Sequence, residues 1–136
     1  MATSEKIKIL IVDDDNFLLD MYALKFTESG FDVVPSSGSE DALEKLRNGL
    51  IPGIILLDIV MPKIDGFELM QAMNKEKLGG SAIRIILSNR GQLSDIETGN
   101  NLGAAGYIVK ASATPTEVVN KVKEIMVARK VGSKAR

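Results

Sequence analysis

Two reactive residue types are missing from this 136-residue chain, which contains neither cysteine nor histidine. Without cysteine the chain has no disulfide, no thiol nucleophile and no thiolate metal site. Without histidine it has no serine–histidine catalytic pair, no imidazole zinc site and no means of carrying phosphate on an imidazole ring. Polar chemistry is therefore left to carboxylates, hydroxyls, amides, lysine and arginine.

The sequence is also short of the features that take a protein to a membrane or to nucleic acid. Its longest apolar stretches, Ile9–Val12 and Ile54–Leu57, are far below the roughly 20 residues of a membrane-spanning helix. Residues 1–8 are polar and lack the apolar segment of a signal peptide. The formal net charge of -1 gives no general attraction to phosphate backbones or anionic lipids. We therefore expect a cytoplasmic protein with no membrane association and no direct binding of nucleic acid.

The size of the chain fits a single folded domain. Hydrophobic residues make up 45% of the sequence, which is enough to form a core. We expect the domain to cover residues 1–129 and a short basic tail to follow at 130–136. A frayed helix end whose positive charges complement the helix dipole is the favoured interpretation of this tail, ahead of an arm that binds nucleic acid.

Five short apolar runs rich in Ile, Leu or Val alternate with amphipathic stretches. The runs are Ile7–Val12, Phe31–Val34, Ile54–Leu57, Ile83–Leu87 and Tyr107–Val109. Each run is too short for a helix and is typical of a strand buried on both faces, as in a parallel sheet. Strand and helix repeated five times predicts an α/β fold in which right-handed crossovers place helices on both faces of the sheet.

Three of the intervening stretches carry the spacing of a capping box, in which a polar residue precedes a helix and a Glu follows three positions later. They are Asp65–Glu68, Ser94–Glu97 and Thr114–Glu117. Pro115 follows the third cap and suits the first helical position, where its missing N–H is not needed. These patterns predict the starts of the third, fourth and fifth helices.

Polar side chains stand where four of the five predicted strands end. They are Asp13, Asp14 and Asp15 after the first strand, Asp58 after the third, Ser88 at the end of the fourth and Lys110 after the fifth. Ligands of open parallel sheets bind outside the carboxyl ends of the strands. We therefore expect these side chains to gather in one crevice.

Such a crevice would hold several carboxylates, which repel one another unless a cation joins them or one is protonated. A hard divalent metal with oxygen ligands answers this need, and Mg²⁺ suits a site with few carboxylates and several waters. One of the three consecutive aspartates, most plausibly Asp15, could instead cap the helix that follows. Ser88 and Lys110 fit a phosphoryl group on Asp58, because a hydroxyl and an ammonium stabilise its negative oxygens.

These residues resemble the receiver domain of two-component response regulators. The most specific segment is Leu56–Gly66, which is similar to the phosphoacceptor strand and the following loop of that family. Ile11–Asp15 is similar to its acidic cluster and Gly106–Lys110 to its fifth strand. The resemblance runs from about Lys6 to about Arg129. It implies a flavodoxin-like doubly wound (βα)5 fold, with a five-stranded parallel sheet in the order 2-1-3-4-5.

The resemblance also implies roles for individual residues. Asp58 would be the phosphoacceptor. Asp14 and Asp58 would bind Mg²⁺ directly and Asp13 through water, and the backbone carbonyl of Val60 would complete the protein ligands. Lys110 would pair with the acyl phosphate.

Two further positions are implied to act as a switch. Ser88 would hydrogen-bond the phosphoryl group and shift towards it, and Tyr107 would turn inward as Ser88 moves. The residues alone leave a second interpretation open, in which Tyr107 is an amphipathic residue of an edge strand. The family usually has proline, often after a cis bond, where this chain has Ala111. A cis bond costs about 3 kcal/mol before any other residue, so the position of Lys110 depends on the state of the Lys110–Ala111 bond.

The implied function is a phosphorylation-dependent signalling switch rather than a metabolic enzyme, similar to a chemotaxis-type receiver that stands alone. A sensor histidine kinase or a phosphotransfer protein would supply the phosphoryl group, and a downstream protein would receive the signal. A homodimer linked to phosphorylation is left open. Two alternatives are a Mg²⁺-dependent phosphatase of the haloacid-dehalogenase type and an interaction module that is never phosphorylated. The phosphatase motif has a second aspartate two positions after the nucleophile, where this chain has Val60.

Overall fold

Five strands and five α-helices alternate along the chain in the computed structural model, which describes residues 6–134. The elements in chain order are β1 (Lys8–Val12), α1 (Asn16–Glu28), β2 (Asp32–Ser36), α2 (Ser39–Arg47), β3 (Ile54–Leu57), α3 (Gly66–Glu76), β4 (Ile83–Ser88), α4 (Leu93–Asn101), β5 (Ala104–Val109) and α5 (Pro115–Lys134). A short 3₁₀ turn, Lys110–Ser112, joins β5 to α5. The alternation confirms the predicted α/β class.

All neighbouring strands run parallel, in the order β2-β1-β3-β4-β5. This order confirms the expected doubly wound, flavodoxin-like sheet. The chain moves outward in one direction from β1 to β2 and in the other direction from β3 to β5. The reversal opens a crevice at the carboxyl ends of β1 and β3, where ligands of such sheets bind.

The two faces of the sheet carry separate hydrophobic clusters. In β1, Ile9 and Ile11 pack into the cluster formed with α1 and α5, whereas Leu10 and Val12 pack into the cluster formed with α2 and α3. All four side chains are at most 1% exposed. Burial on both faces explains why the central strands are continuous apolar runs rather than alternating ones.

Two of the three predicted capping boxes are present. The Asp65 carboxylate accepts the Glu68 N–H at 2.8 Å, and the Glu68 carboxylate accepts the Asp65 N–H at 2.9 Å. Thr114 and Glu117 exchange the same pair of bonds at 3.2 and 2.8 Å, with Pro115 as the first helical residue. The spacing of these residues was therefore a sufficient signal for the starts of α3 and α5.

The predicted start of α4 is wrong. The helix begins at Leu93 with Gln92 as its cap, so Ser94 lies inside the first turn instead of before it. The Asp95 carboxylate accepts the Gln92 N–H at 3.2 Å and pairs with Arg90 at 3.1 Å. Asp95 thus stands at the third helical position, two residues before the Glu97 that the prediction placed there.

The last strand and the last helix are longer than predicted. β5 starts at Ala104 rather than Tyr107, and α5 extends through Lys134, into the segment assigned to the basic tail. The structure does not describe residues 1–5 and 135–136, which include the end of the expected tail. The domain boundary at residue 129 stays a prediction. Among the described residues, no helix is both long enough and apolar enough to span a membrane.

The backbone at the end of α3 leads to a stability prediction. Lys77 terminates this helix with φ at 57°, in the left-handed region that glycine adopts without a Cβ clash. We expect Lys77→Gly to raise the free energy of unfolding by about 0.5–1 kcal/mol, because the relief of strain exceeds the entropy added to the unfolded chain. The measurement is the midpoint of urea denaturation.

Lys75→Gly is the matched control, because Lys75 is exposed on the same helix and has helical backbone angles. Glycine there should lower the free energy of unfolding by about 1 kcal/mol. Equal losses from both substitutions would contradict the prediction.

Candidate functional site

The residues predicted from the strand ends gather around one cavity of about 400 Å³. It is lined by Asp13, Asp14, Asp15, Leu18, Asp58, Val60, Ser88, Asn89 and Lys110. The parallel sheet brings them together, because the carboxyl ends of β1, β3, β4 and β5 all meet at the same edge. The cavity lies at the crevice where the strand order reverses.

A buried ammonium group joins two of the carboxylates. Lys110 Nζ donates to Asp13 Oδ2 at 2.7 Å and to Asp58 Oδ2 at 2.9 Å. The side chains of Lys110, Asp13 and Asp58 are only 8%, 3% and 9% exposed. Such charges are tolerated away from water only when they are paired and hydrogen-bonded, so the three groups depend on one another.

The pKa shifts show how the charges are balanced. Burial by itself would lower the pKa of Lys110, but the hydrogen bonds to Asp13 and Asp58 outweigh it, and the pKa is raised above its ordinary value. Burial raises the pKa of Asp13, even though Lys110 and the Asp15 N–H stabilise its carboxylate. The ammonium therefore stays protonated, while Asp13 remains short of positive charge.

Backbone groups fix the orientation of the two buried carboxylates. Asp13 Oδ1 accepts the Asp15 N–H at 3.0 Å, and Asp58 Oδ1 accepts the Ile59 N–H at 2.7 Å. In each carboxylate one oxygen is thus held by the chain after the strand and the other by Lys110. The sheet itself therefore sets the distance between the two groups.

A third carboxylate completes an oxygen cluster. Asp13, Asp14 and Asp58 each offer an oxygen, and these three oxygens lie within 4.8 Å of one another. Asp14 is exposed, so its carboxylate can turn towards the other two. Opposite ligands of an octahedral Mg²⁺ are about 4.2 Å apart, which the cluster can reach by a small movement. The donor set, oxygen atoms alone with a deficit of positive charge, fits Mg²⁺.

Asp15 has a different role from its two neighbours. Its carboxylate accepts the Leu18 N–H at 3.1 Å and caps the start of α1. This is the capping role that the sequence left open for one of the three aspartates. Of the three consecutive aspartates, Asp13 and Asp14 therefore offer oxygens to the cluster, whereas Asp15 caps a helix.

Ser88 is fully buried at the end of β4, and its Oγ accepts the Arg90 N–H at 3.2 Å. That bond uses one lone pair of the oxygen, and the hydroxyl can still donate its proton. The Lys110–Ala111 bond is trans, since the described chain contains no cis peptide bond. Lys110 reaches the two carboxylates from this trans backbone.

Tyr107 lies half-buried on β5, and its hydroxyl donates to the Arg90 carbonyl. Burial, followed by the Asp95 carboxylate, raises the pKa of the phenol above its ordinary value, which keeps the proton available for this bond. The ring lies beside α4, where a Cβ on Gly99 would be 3.7 Å from its Cδ2. Its position at the sheet edge suits both interpretations of Tyr107, so the switch role stays a prediction.

Sequence reasoning missed the contribution of Arg90 and Asp95 to this region. Asp95 is only 6% exposed and receives the guanidinium of Arg90 in the first turn of α4. The only signal available was the Gln92–Asp95 spacing, which the more familiar Ser94–Glu97 spacing obscured. The position of the Arg90 guanidinium above the Phe67 ring, 5.8 Å from its centroid, had no signal in the sequence.

Comparisons with known proteins agree with this architecture. The sequence profile of the response regulator receiver domain matches residues 9–123. The chain is 34% identical over 119 residues to the alkaline phosphatase synthesis transcriptional regulatory protein PhoP of Bacillus subtilis, covering 88% of this chain and 48% of that protein. It is 32% identical over 123 residues to the probable transcriptional regulator ycf27 of Pyropia yezoensis, covering 90% and 49%.

A similar solved structure is that of a CheY-like response regulator receiver domain protein from Methanospirillum hungatei. It has a TM-score of 0.82 and 26% sequence identity, and the alignment covers 94% of this chain and 99% of that one. The chain spans about half the length of the curated relatives named here. What these relatives share with it is therefore this domain.

The close approach of α3 to the chain after β3 leads to a prediction. A Cβ on Gly66 would lie 2.1 Å from the Asp58 carbonyl oxygen and 2.8 Å from the Ile59 Cα, so only glycine fits between them. We expect Gly66→Ala to lower the free energy of unfolding by about 1–3 kcal/mol, because backbone atoms must move. The displaced Asp58 should also weaken Mg²⁺ binding, measured by isothermal titration calorimetry.

Gly38→Ala provides the control, because a Cβ there has nothing within 4 Å and the φ of 166° is extended backbone. It should leave both the stability and the Mg²⁺ affinity close to those of the unmodified protein. A Gly66→Ala variant that behaved like Gly38→Ala would contradict the described approach.

Proposed function

The chain belongs to the response regulator receiver family, and on that premise we propose that Asp58 is the carboxylate that accepts a phosphoryl group. Receivers of this family are phosphorylation-dependent switches. The observation that carries the assignment is the placement of Asp58, buried at the end of β3 and held by Lys110 beside two further carboxylates. Asp13 and Asp14 follow β1 instead, and Asp15 already caps α1.

Mg²⁺ would be held by the oxygen cluster. Asp14 and Asp58 are the proposed direct ligands, Asp13 would bind through water, and the Val60 backbone carbonyl would supply a further oxygen. The support is the short separation of the three carboxylates, two of which share a single ammonium group, that of Lys110. A bound Mg²⁺ would neutralise phosphoryl oxygens and orient the donor.

In the proposed reaction an oxygen of the Asp58 carboxylate attacks the phosphorus of the donor. A phosphorus–oxygen bond forms, the bond from phosphorus to the leaving group breaks, and the leaving group takes the electron pair. Lys110 then pairs with the negative oxygens of the new acyl phosphate, and the free hydroxyl proton of Ser88 is donated to one of them. An ammonium and a hydroxyl aimed at these oxygens provide the electrostatic stabilisation that phosphoryl transfer requires.

The partners follow from this chemistry. A sensor histidine kinase or a phosphotransfer protein would supply the phosphoryl group, and a downstream protein would recognise the phosphorylated form, with or without dimerisation. The proposal includes the expected cytoplasmic location, where ATP-dependent kinases work. The chain would be phosphorylated once per cycle and lose the group by hydrolysis, instead of turning over a metabolite.

Direct labelling tests the acceptor. Incubation with Mg²⁺ and acetyl phosphate should add one phosphoryl group to the intact mass, and Asp58→Asn should abolish the addition, because an amide is not a nucleophile of this kind. Asp65→Asn is the control, since Asp65 caps α3 outside the cavity and asparagine caps almost equally well. It should be labelled normally.

Labelling that persists in Asp58→Asn would move the acceptor to another residue. A complete lack of labelling in the unmodified protein would favour the interaction module. Repeated turnover of phosphate esters would favour the phosphatase.

Two neighbouring aspartates test the metal site. Asp14→Asn should weaken Mg²⁺ binding by at least about tenfold, because a charged ligand becomes neutral. Asp15→Asn should change the affinity by less than about twofold, since Asp15 caps α1 and asparagine keeps that bond. Isothermal titration calorimetry measures both constants, and equal affinities for the two variants would count against Asp14 as a ligand.

A further inference from the structure

Arg90, in the loop between β4 and α4, contacts residues of four different elements or element ends. Its backbone N–H donates to Ser88 Oγ at 3.2 Å, and its carbonyl accepts the Tyr107 hydroxyl. Its guanidinium donates to Asp95 Oδ1 at 3.1 Å and lies over the Phe67 ring at 5.8 Å. The backbone of this residue thus contacts two hydroxyl groups, and its side chain contacts α3 and α4.

Asp95 is the stronger of the two side-chain anchors. Its carboxylate is buried and both of its oxygens are hydrogen-bonded, since Oδ1 receives Arg90 and Oδ2 receives the Gln92 N–H at the start of α4. Apart from Asp95, the buried residue of α4 is Gly99, which has no side chain to anchor the helix. The ion pair between Arg90 and Asp95 therefore anchors the start of α4, whereas apolar packing anchors the other helices.

The link leads back to the phosphorylation site. Ser88 lines the cavity together with Asp58, and the bond from the Arg90 N–H fixes the direction of its oxygen. The same residue holds the Tyr107 hydroxyl, with the tyrosine ring half-buried against α4. Both hydroxyls are thus hydrogen-bonded to the backbone of Arg90, whose side chain contacts Asp95 and Phe67.

We propose that Arg90 is a positioning residue. Its side-chain contacts with Asp95 and Phe67 preorganise the Ser88 hydroxyl and the Tyr107 ring for the phosphorylated state. The inference rests on the proposed function of Asp58. Without these contacts the loop between β4 and α4 must become ordered when the phosphoryl group binds, and the free energy of that ordering reduces the affinity for the phosphoryl group.

The chemistry of arginine suits this role better than that of lysine. Nε and Nη2 both approach Asp95 Oδ1 at 3.1 Å while the flat guanidinium covers an aromatic ring. A lysine ammonium is a point charge and cannot keep both contacts in one geometry. Arg90→Lys should therefore recover part of the function of Arg90 but not all of it.

Tyrosine fluorescence makes the inference testable. The chain has no tryptophan and two tyrosines, so a Tyr22→Phe background leaves Tyr107 as the fluorophore. In this background Arg90→Gln should bind Mg²⁺–beryllofluoride, a phosphoryl mimic, about two- to fivefold more weakly, the scale of one partly exposed ion pair. Acrylamide should quench Tyr107 more strongly in that variant before the mimic is added.

Two further variants separate positioning from general stability. Arg47→Gln removes an exposed pair with Glu76, at 2.8 and 2.6 Å, and should change neither the affinity nor the quenching. Asp95→Asn removes the charge that pairs with Arg90 and retains an oxygen that can accept the Gln92 N–H. It should reproduce the effect of Arg90→Gln, and the double variant should be no worse than either single variant.

The outcomes distinguish a failure of the positioning role of Arg90 from a failure of the proposed function of Asp58. If Arg90→Gln and Asp95→Asn leave both the affinity for the mimic and the quenching of Tyr107 unchanged, the positioning role is overturned, even when the variants are less stable. If the unmodified protein neither binds the mimic nor takes a phosphoryl group from acetyl phosphate, the proposed function fails and the inference fails with it.

Discussion

The contact of one buried ammonium group with two carboxylates is the constraint on which the site depends. Neighbouring strands of a sheet are about 4.8 Å apart, so β3 and β5, separated by β4, are about 10 Å apart. Among the standard residues only a long cationic side chain after β5 can cross that distance and meet an aspartate after β3. Lys110 does so and also reaches Asp13 after β1, which ties three strand ends to a single charge. Without it, two carboxylates that are almost removed from water would repel each other at the edge of the sheet.

Much of this arrangement could be predicted from the sequence, because a parallel sheet converts order along the chain into position in space. Each apolar run ends at the same edge, so the residue after each run is a candidate for the crevice, and Asp13, Asp58, Ser88 and Lys110 all lie there. The strand-end rule alone does not divide the three consecutive aspartates, but the place of Asp15 directly before the next helix made it the most plausible cap. In the structure its carboxylate accepts the Leu18 N–H of α1.

Two parts of the structure were not predicted, for different reasons. Ser94–Glu97 and Gln92–Asp95 are competing starts for α4, and local propensity does not favour the second. In the structure Asp95 also pairs with Arg90, five positions earlier, and this pair is not part of the capping-box pattern. The early part of β5 was missed for another reason: Ala104 and Gly106 are too small to give a hydrophobic signal, although both pair with β4 across an irregularity at Arg84 and Ile85.

The helices that follow β3 and β4 are anchored to the domain in different ways. In α3, Leu69, Met70 and Met73 are fully buried, so moving that helix would expose a large apolar surface. At the start of α4 the corresponding contact is a carboxylate held by a guanidinium and a backbone N–H. The strength of such hydrogen bonds depends on distances and angles more than on the buried area. A small movement at the end of β4 can therefore weaken them while the apolar core stays intact. An element with two arrangements of similar free energy is what a local charge must act on to have a distant effect, and a helix start held by a polar link meets that condition more readily than one held by buried apolar side chains.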